Sequence, residues 1–349
     1  MLQAHVVITG LMATDNPYPG LGIARCLRDA PEFRGRISGF VFDPLSTGAF
    51  CEGVFERVFL VPYPAAGAEV LLERIHEIHR ADPIDVLIPS LDSEVILYAQ
   101  IARELASLGI QTLLPPVGSI KMRSKNQLYE FCRGHRFRCP ETFMLNNVGE
   151  VSARCRDLGG APFVLKGALS DAAVCHTVEE GEYQYWQLFH QWGYPILMQQ
   201  YIAGEEIDVI ALADKKSQLT GAVVMKKFGL TPKGKAFSGI TVEDEKPVQL
   251  TRQILKSLKW IGPAECEFLR DEKGRHYLME INSRFPSWLY LAAAAGQNLP
   301  LLTVKLACDM AVRPLTSYQV GKLFVRTVSD ALLDVRQFME LTVSGEVRL

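Results

Sequence analysis

The stretch Pro263-Ala-Glu-Cys-Glu-Phe-Leu-Arg-Asp-Glu-Lys-Gly-Arg-His-Tyr-Leu-Met-Glu-Ile-Asn-Ser-Arg284 reads as two short strands joined by a turn at Lys273-Gly274. The two-residue period of a strand puts Ala264, Cys266 and Phe268 on one face and Glu265 and Glu267 on the other. On the second strand Tyr277, Met279 and Ile281 take the apolar face, and Glu280 and Asn282 the polar one. A two-residue loop at Lys273-Gly274 sets Glu267 opposite Glu280. Like charges directly across a hairpin repel. A divalent cation between them reverses that sign, and Asn282 adds a neutral oxygen. Mg²⁺ takes such hard ligands, usually one or two carboxylates together with substrate phosphates. Arg284, two residues on, can reach phosphate or carboxylate oxygens. Taken alone, Glu280-Ile-Asn282 also reads as the solvated face of an ordinary hairpin.

Working outward, the chain has 349 residues, 48% of them hydrophobic, and a net charge of −2, room for two or three domains with sizeable cores. The near-neutral balance gives no electrostatic case for nucleic acid or an anionic membrane. No stretch has the apolar length of a transmembrane helix. Met1-Leu-Gln-Ala-His-Val-Val-Ile8 lacks a basic segment and a small-residue cleavage site, and reads as a first buried strand rather than a signal peptide. The eight cysteines form no Cys-x-x-Cys pair, and the expectation is reduced thiols in a cytoplasmic protein. His76 and His79 share a helix face with no further ligand nearby, and read as solvated.

Residues 1–118 alternate strands (Val6–Thr9, Ile37–Phe42, Asp85–Pro89, Gln111–Leu114) with helices (Gly22–Asp29, Val70–Arg80, Val95–Leu108). That alternation predicts a parallel, doubly wound, Rossmann-like domain. Pro115-Pro116 punctuates the chain, and a helix with Ser119 as N-cap runs to about His135. Residues 119–195 form a smaller α+β subdomain with strands Thr142–Leu145 and Phe163–Lys166 and a helix over Glu182–Trp192. Residues 196–312 form a second subdomain: Ile196–Ile202, Glu206–Ala213 and Leu219–Lys226 as close antiparallel strands, a helix over Pro247–Leu258, the acidic hairpin and two closing helices. Residues 313–349 read as strand, helix and strand packing on that core.

Other residues carry chemistry. Lys166 ends an apolar strand, either as a snorkelling edge lysine or as a point charge for phosphate. The segment Met198-Gln-Gln-Tyr-Ile-Ala-Gly-Glu-Glu206 links two strands, and its main chain could pair the edge of an adenine. Glu206 could then accept from ribose hydroxyls; a plain hairpin turning at Ala203-Gly204 is the other reading. Lys125 sits early in a helix, mildly unfavourable against the helix dipole unless an anion is near. Asp92 and Glu94 follow the third strand at its carboxyl end, where open α/β sheets bind ligands, so they are candidates for substrate contact or for capping. Lys226 precedes a basic loop, Lys233-Gly-Lys235, that suits an acidic substrate or is simply solvated. Gly20, Gly22 and Asp43 resemble a dinucleotide fingerprint, but about ten residues separate strand from helix where a tight turn is required.

As a set, Lys125, Lys166, Gln199-Gln-Tyr-Ile-x-Gly-x-Glu206, Glu267 and Glu280-x-Asn282-x-Arg284 resemble the ATP-grasp superfamily. The first domain looks like the Rossmann-like domain that precedes the ATP-grasp fold in the carbamoyl-phosphate-synthetase-like and biotin-carboxylase-like branch. The resemblance spans roughly residues 5–312. It implies a two-subdomain ATP-grasp fold in which Lys125 and Lys166 hold ATP phosphates. Gln199, Gln200, Tyr201 and Ile202 would line the adenine, with the main chain of Gln200 and Ile202 pairing the base, and Glu206 would bind ribose. Glu267, Glu280 and Asn282 would ligate Mg²⁺ (or Mn²⁺), and Arg284, with Lys166, would act on the transferred phosphoryl group. The implied reaction activates a carboxylate as an acyl-phosphate, which an amine attacks to give an amide, ADP and phosphate. Its partners would be a small-molecule carboxylate and an amine; the oligomeric state, a homodimer included, stays open. Two departures from the family pattern stand out. The loop Gly167-Ala-Leu-Ser-Asp-Ala-Ala-Val-Cys175 has a single glycine, and Gln199 replaces the usual Glu. The rival readings are a non-catalytic nucleotide-binding module and an NAD-dependent oxidoreductase.

Overall fold

The computed structural model describes residues 1–14, 17–167, 171–231, 236–328 and 330–349, without the side chains of 125 and 126. The chain divides into two compact units. One comprises Met1–Ile120, Asp208–Cys266 and Ile281–Leu349, the other Lys121–Ile207 and Glu267–Glu280.

The first unit opens with a five-stranded sheet in the order Glu346–Arg348, Arg57–Leu60, Ile37–Val41, Val6–Ile8, Val86–Ile88. Four strands run parallel, and Glu346–Arg348 joins Arg57–Leu60 antiparallel. Successive side chains feed opposite cores, as the strand period requires. Val6 and Ile8 pack with Ile23 and Leu27 of the helix Pro19–Arg28, whereas Val7 packs with Phe40, Phe59, Ile75 and Leu105. Burial on both faces explains the unbroken apolar runs Val6–Ile8 and Val86–Ile88. Gly20 shows how tightly the first helix sits. A Cβ there would lie 2.2 Å from the Thr9 carbonyl oxygen, and the Gly20 amide donates to the Gly10 carbonyl at 3.0 Å.

A six-stranded sheet follows the order His276–Asn282, Gly262–Arg270, Glu205–Ala213, Leu219–Leu230, Ala236–Thr241, Leu323–Val325. The second unit carries an antiparallel four-stranded sheet in the order Thr142–Leu145, Ile196–Gln200, Phe163–Lys166, Ala172–Cys175. Leu145, Phe163, Leu165, Ile196 and Met198 form one core with Val151, Cys155, Tyr185 and Leu188 of the helices Glu150–Asp157 and Val178–Trp192.

The fold class matches the sequence reading, and several local expectations are corrected. Gln111–Leu114 makes only an isolated bridge from Gln111 to Val86, and Arg57–Leu60 supplies the extra parallel strand. Ile196–Gln200 belongs to the four-stranded sheet, apart from Glu205–Ala213 and Leu219–Leu230. Ser119 caps nothing. It lies inside a short helix, Val117–Met122, where its buried hydroxyl donates to the Leu258 carbonyl at 2.6 Å, and a separate helix spans Lys125–His135. The acidic hairpin turns over three residues rather than two. Gly274 amide donates to the Asp271 carbonyl at 2.9 Å, Asp271 amide to the Arg275 carbonyl at 3.0 Å, and Gly274 has φ +69°. This is the three-residue loop with a left-handed glycine. The extra residue shifts the frame, so His276 and Leu278 are buried while Tyr277 and Met279 are half-exposed. The alternation slips between Met279 and Glu280, after which Ile281 and Asn282 are both buried. At the base of the hairpin the Glu265 and Asn282 side chains are hydrogen-bonded at 3.0 Å.

Gly20→Ala should destabilise the protein by about 2 kcal/mol or more, because the obstacle is main chain and cannot rotate away. Gly118→Ala meets no atom within 4 Å and should stay near wild type. Urea denaturation of both variants checks this; equal midpoints would contradict the close helix–strand approach.

Candidate functional site

In the first unit seven residues converge on one ion-pair network. Asp92 opens the helix Asp92–Gln100, which follows the strand Val86–Ile88. Its carboxylate accepts from Arg284 Nε at 2.9 Å and from the Ser283 amide and hydroxyl at 3.2 Å each. Arg284 Nη1 donates to Glu265 Oε2 at 3.0 Å and to the Phe285 carbonyl at 3.2 Å. Glu265, 5% exposed, also accepts from Asn282 Nδ2 at 3.0 Å and from Trp288 Nε1 at 2.8 Å. Buried carboxylates are tolerated only when paired and hydrogen-bonded, and Glu265 meets that condition with three donors.

Glu94 goes elsewhere. It is buried, and its Oε1 accepts from the Thr9 hydroxyl and from the amides of Ser90 at 3.0 Å and Leu91 at 3.1 Å. It thus serves the start of the helix. Burial pushes its pKa up to about 7, against the lowering effect of the Thr9, Ser90 and Leu91 hydrogen bonds.

Arg326 is a candidate site residue that the sequence reading missed. It stands just beyond the strand Leu323–Val325, with Nη2 donating to Ser287 Oγ at 2.6 Å and Nε to the Ala236 carbonyl at 3.2 Å. Its guanidinium lies over the Phe324 ring at 5.4 Å. Among the described residues it has no carboxylate partner, and burial alone holds its pKa below the usual arginine value. A solitary arginine in a terminal segment gives no local pattern; only the fold brings it to Ser287, three residues past Arg284. Lys226 is half-buried in the strand Leu219–Leu230, and the adjacent Lys227 lies 3.6 Å from the buried carboxylate of Asp208.

In the second unit the strand register places Lys166 opposite Leu197 and Val164 opposite Gln199, which is itself opposite Thr142. These five side chains therefore share the sheet face turned away from the helices Glu150–Asp157 and Val178–Trp192. A cleft on this face is lined by Gln127, Tyr129, Thr142, Met144 and Leu197. Gln199 is 8% exposed, and its Nε2 donates to Thr142 Oγ1 at 2.9 Å. The Thr142 hydroxyl in turn donates to the Pro140 carbonyl at 3.0 Å. This chain of donors fixes which way the amide points and leaves Gln199 Oε1, among the described residues, a buried acceptor with no hydrogen bond. A buried orphan acceptor is costly and awaits a donor. The Gln200 amide donates to the Glu141 carbonyl at 2.8 Å, so that N–H is committed within the fold and only the Gln200 carbonyl remains to be considered for a base. Tyr201 and Glu206 are exposed and Ile202 is half-buried.

Glu267 and Glu280 lie on neighbouring strands and are half-buried. Among the described residues no cluster of three or more His, Cys, Asp or Glu side chains is placed to hold a metal. Two carboxylates and an amide are still a fitting donor set for Mg²⁺, which completes its shell with phosphate and water. The Lys125 side chain, the loop residues 168–170 and the basic residues Lys233 and Lys235 fall outside the described residues.

Residues 194–330 match a family model described as an ATP-grasp in the biosynthetic pathway with Ter operon. Among solved structures the chain is similar to biotin carboxylase from Campylobacter jejuni: TM-score 0.70 and 14% identity over 92% of this chain and 74% of that one. It is also similar to N5-carboxyaminoimidazole synthetase from Staphylococcus aureus, solved with ADP: TM-score 0.67 and 14% identity, covering 91% and 81%. A third is the L-amino acid ligase from Bacillus licheniformis: TM-score 0.62 and 15% identity, covering 87% and 74%. No curated protein sequence matches the chain. Residues 194–330 thus carry an ATP-grasp match, and the chain as a whole has the fold of these biotin-carboxylase-like structures, its N-terminal parallel sheet resembling a Rossmann-like domain. Among the described residues no helix is long and apolar enough to cross a membrane.

The Glu94 pKa sets a pH dependence. Its folded value of about 7 lies above the ordinary 4.5, so the folded state holds the proton more tightly. That contribution is complete below the ordinary value and is lost as the pH rises towards 7, a difference of about 3 kcal/mol at most. Wild-type stability should therefore fall between pH 5 and 7 relative to Glu94→Gln, measured by urea denaturation at both pH values. Parallel pH profiles would contradict the buried, proton-holding carboxyl.

Proposed function

We propose that this chain is an ATP-dependent ligase that activates a carboxylate as an acyl-phosphate for attack by an amine, forming an amide or peptide bond. The observation that carries the reading is Gln199 Oε1, a buried acceptor whose direction is fixed by Thr142 and whose missing partner suits the adenine amino group. Lys166 shares that face, and its ammonium group suits a phosphate chain. The ATP-grasp fold supports the same conclusion.

In this reading Lys125 and Lys166 hold the phosphates. The Gln200 carbonyl and the Ile202 amide pair the base, Tyr201 flanks it, and Glu206 takes the ribose. Glu267, Glu280 and Asn282 are the ligands for Mg²⁺ or Mn²⁺. When bound, ATP supplies the phosphoryl group and the metal neutralises its charge; the protein's own task is positioning and electrostatic stabilisation. Arg284 and Arg326 present guanidinium groups for the carboxylate and its phosphorylated form. A guanidinium without an acidic partner is a ready carboxylate anchor, and Arg326, which has none among the described residues, fits that role. Asp92, 30% exposed at its side chain, offers a carboxylate suited to an ammonium group, and Lys226 suits an acidic substrate.

ADP release from Mg-ATP against pooled amino acids, dipeptides and small carboxylic acids tests the activity; release that depends on the pool is expected. ADP-free pools together with ATP-dependent thermal stabilisation would favour the binding-module reading. Glu280→Gln should reduce ADP formation by orders of magnitude with the fold intact, and near-wild-type turnover would remove the metal assignment. Gln199→Leu should weaken ATP binding by about tenfold in calorimetry, the worth of one buried hydrogen bond. Unchanged affinity would take the adenine away from this face.

A further inference from the structure

We propose that Glu265 is the positioning residue of the Glu-x-Asn-x-Arg motif: its carboxylate sets which way the Asn282 amide faces and locks one arm of Arg284. The proposal rests on the nucleotide-and-metal reading above and deepens it. Glu265 is the nearest same-face neighbour of Glu267 on its strand, yet its surroundings mark a different job. It is 5% exposed, and its two oxygens receive Asn282 Nδ2, Arg284 Nη1 and Trp288 Nε1 at 3.0, 3.0 and 2.8 Å.

The donor inventory explains the consequence. An ionised carboxylate only accepts, so Asn282 must turn its Nδ2 towards Glu265. Its carbonyl Oδ1 is thereby directed away from Glu265, the orientation that an oxygen ligand needs. A neutral side chain at position 265 would leave the two amide orientations close in energy. Arg284 is fixed by the same logic. Nη1 is tied to Glu265 and Nε to Asp92, and because the guanidinium is planar these two bonds set the direction of the remaining nitrogen. Trp288 Nε1 anchors the other Glu265 oxygen and restrains the carboxylate from rotating. Groups behind metal ligands that hold them in this way commonly govern metal affinity by ten- to a hundredfold.

The test is the affinity of the purified protein for Mn²⁺ in the presence of ADP, read by electron paramagnetic resonance, beside its affinity for ADP in EDTA and its melting temperature. Glu265→Gln keeps the volume but replaces one acceptor with a donor. Mn²⁺ affinity should fall at least tenfold while metal-free ADP affinity stays within twofold. Glu265→Asp keeps the charge and shortens the reach by one methylene; it is the second variant should the first fail to fold, and the same split is expected. Mn²⁺ affinity within twofold of wild type in a folded variant would overturn the proposal. An equal loss of metal-free ADP binding would also overturn it, because that pattern marks a general structural role. Wild-type protein that binds neither Mn²⁺ nor ADP would overturn the nucleotide reading itself, and is told apart by its occurrence before any substitution.

Discussion

A guanidinium held between two carboxylates organises the first unit. Arg284 lies between Asp92 at 2.9 Å and Glu265 at 3.0 Å, acids that belong to distant parts of the chain. Asp92 stands in the first turn of its helix, where the helix dipole favours a negative charge. It also stands at the carboxyl end of the parallel strand before it, the edge where open α/β sheets receive ligands. Glu265 belongs to the base of the acidic hairpin. Removing either acid would leave a largely buried charge undercompensated, at a cost of about 3–5 kcal/mol for a fully buried pair. The network thus ties the end of the parallel sheet to the Glu-x-Asn-x-Arg segment and leaves Arg284 few orientations.

The second unit works under another constraint. Its four-stranded antiparallel sheet has helices against one face, so the other is available for polar side chains. Thr142, Lys166 and Gln199 occupy that face through register alone, since pairing fixes which residues lie side by side. The Gln199 amide shows how such a face becomes specific. A glutamate here would accept through both oxygens; a glutamine must be told which end to present, and the hydrogen-bond chain through Thr142 to Pro140 does so.

Much of this was legible in the sequence wherever it depended on local period. The parallel strands appear as apolar runs because both of their faces are buried, and Phe163–Lys166 and Thr142–Leu145 coincide with the expected strands. What was missed depends on distant partners. Arg57–Leu60 begins with an arginine whose guanidinium pairs with Asp82 and Glu346, so it does not look like a buried strand. Ile196–Gln200 follows close before Glu205–Ala213, yet pairs in another sheet, and sequence proximity cannot report that choice. Strand parity put Glu265 and Glu267 on one face but could not say which would be drawn inward, because the deciding donors are Trp288 and Arg284. Arg326 had no signature at all.

The distribution of buried charge bears on the rival readings. A dinucleotide site in the first domain would need Asp43 to reach a ribose, but that carboxylate accepts from the Leu45 amide at 2.9 Å and shapes its own turn. A module that only binds nucleotide would need Lys166 and Gln199. It would gain nothing from a buried Glu265, from Arg284 clamped between two acids, or from Arg326 desolvated with no carboxylate partner among the described residues. Buried ion pairs are commonly no better for stability than apolar residues of the same size. Where stability is the sole requirement, substitution tends to remove such arrangements. Their presence together beside the Glu-x-Asn-x-Arg segment agrees with the proposed handling of a carboxylate and its phosphorylated form better than with either rival.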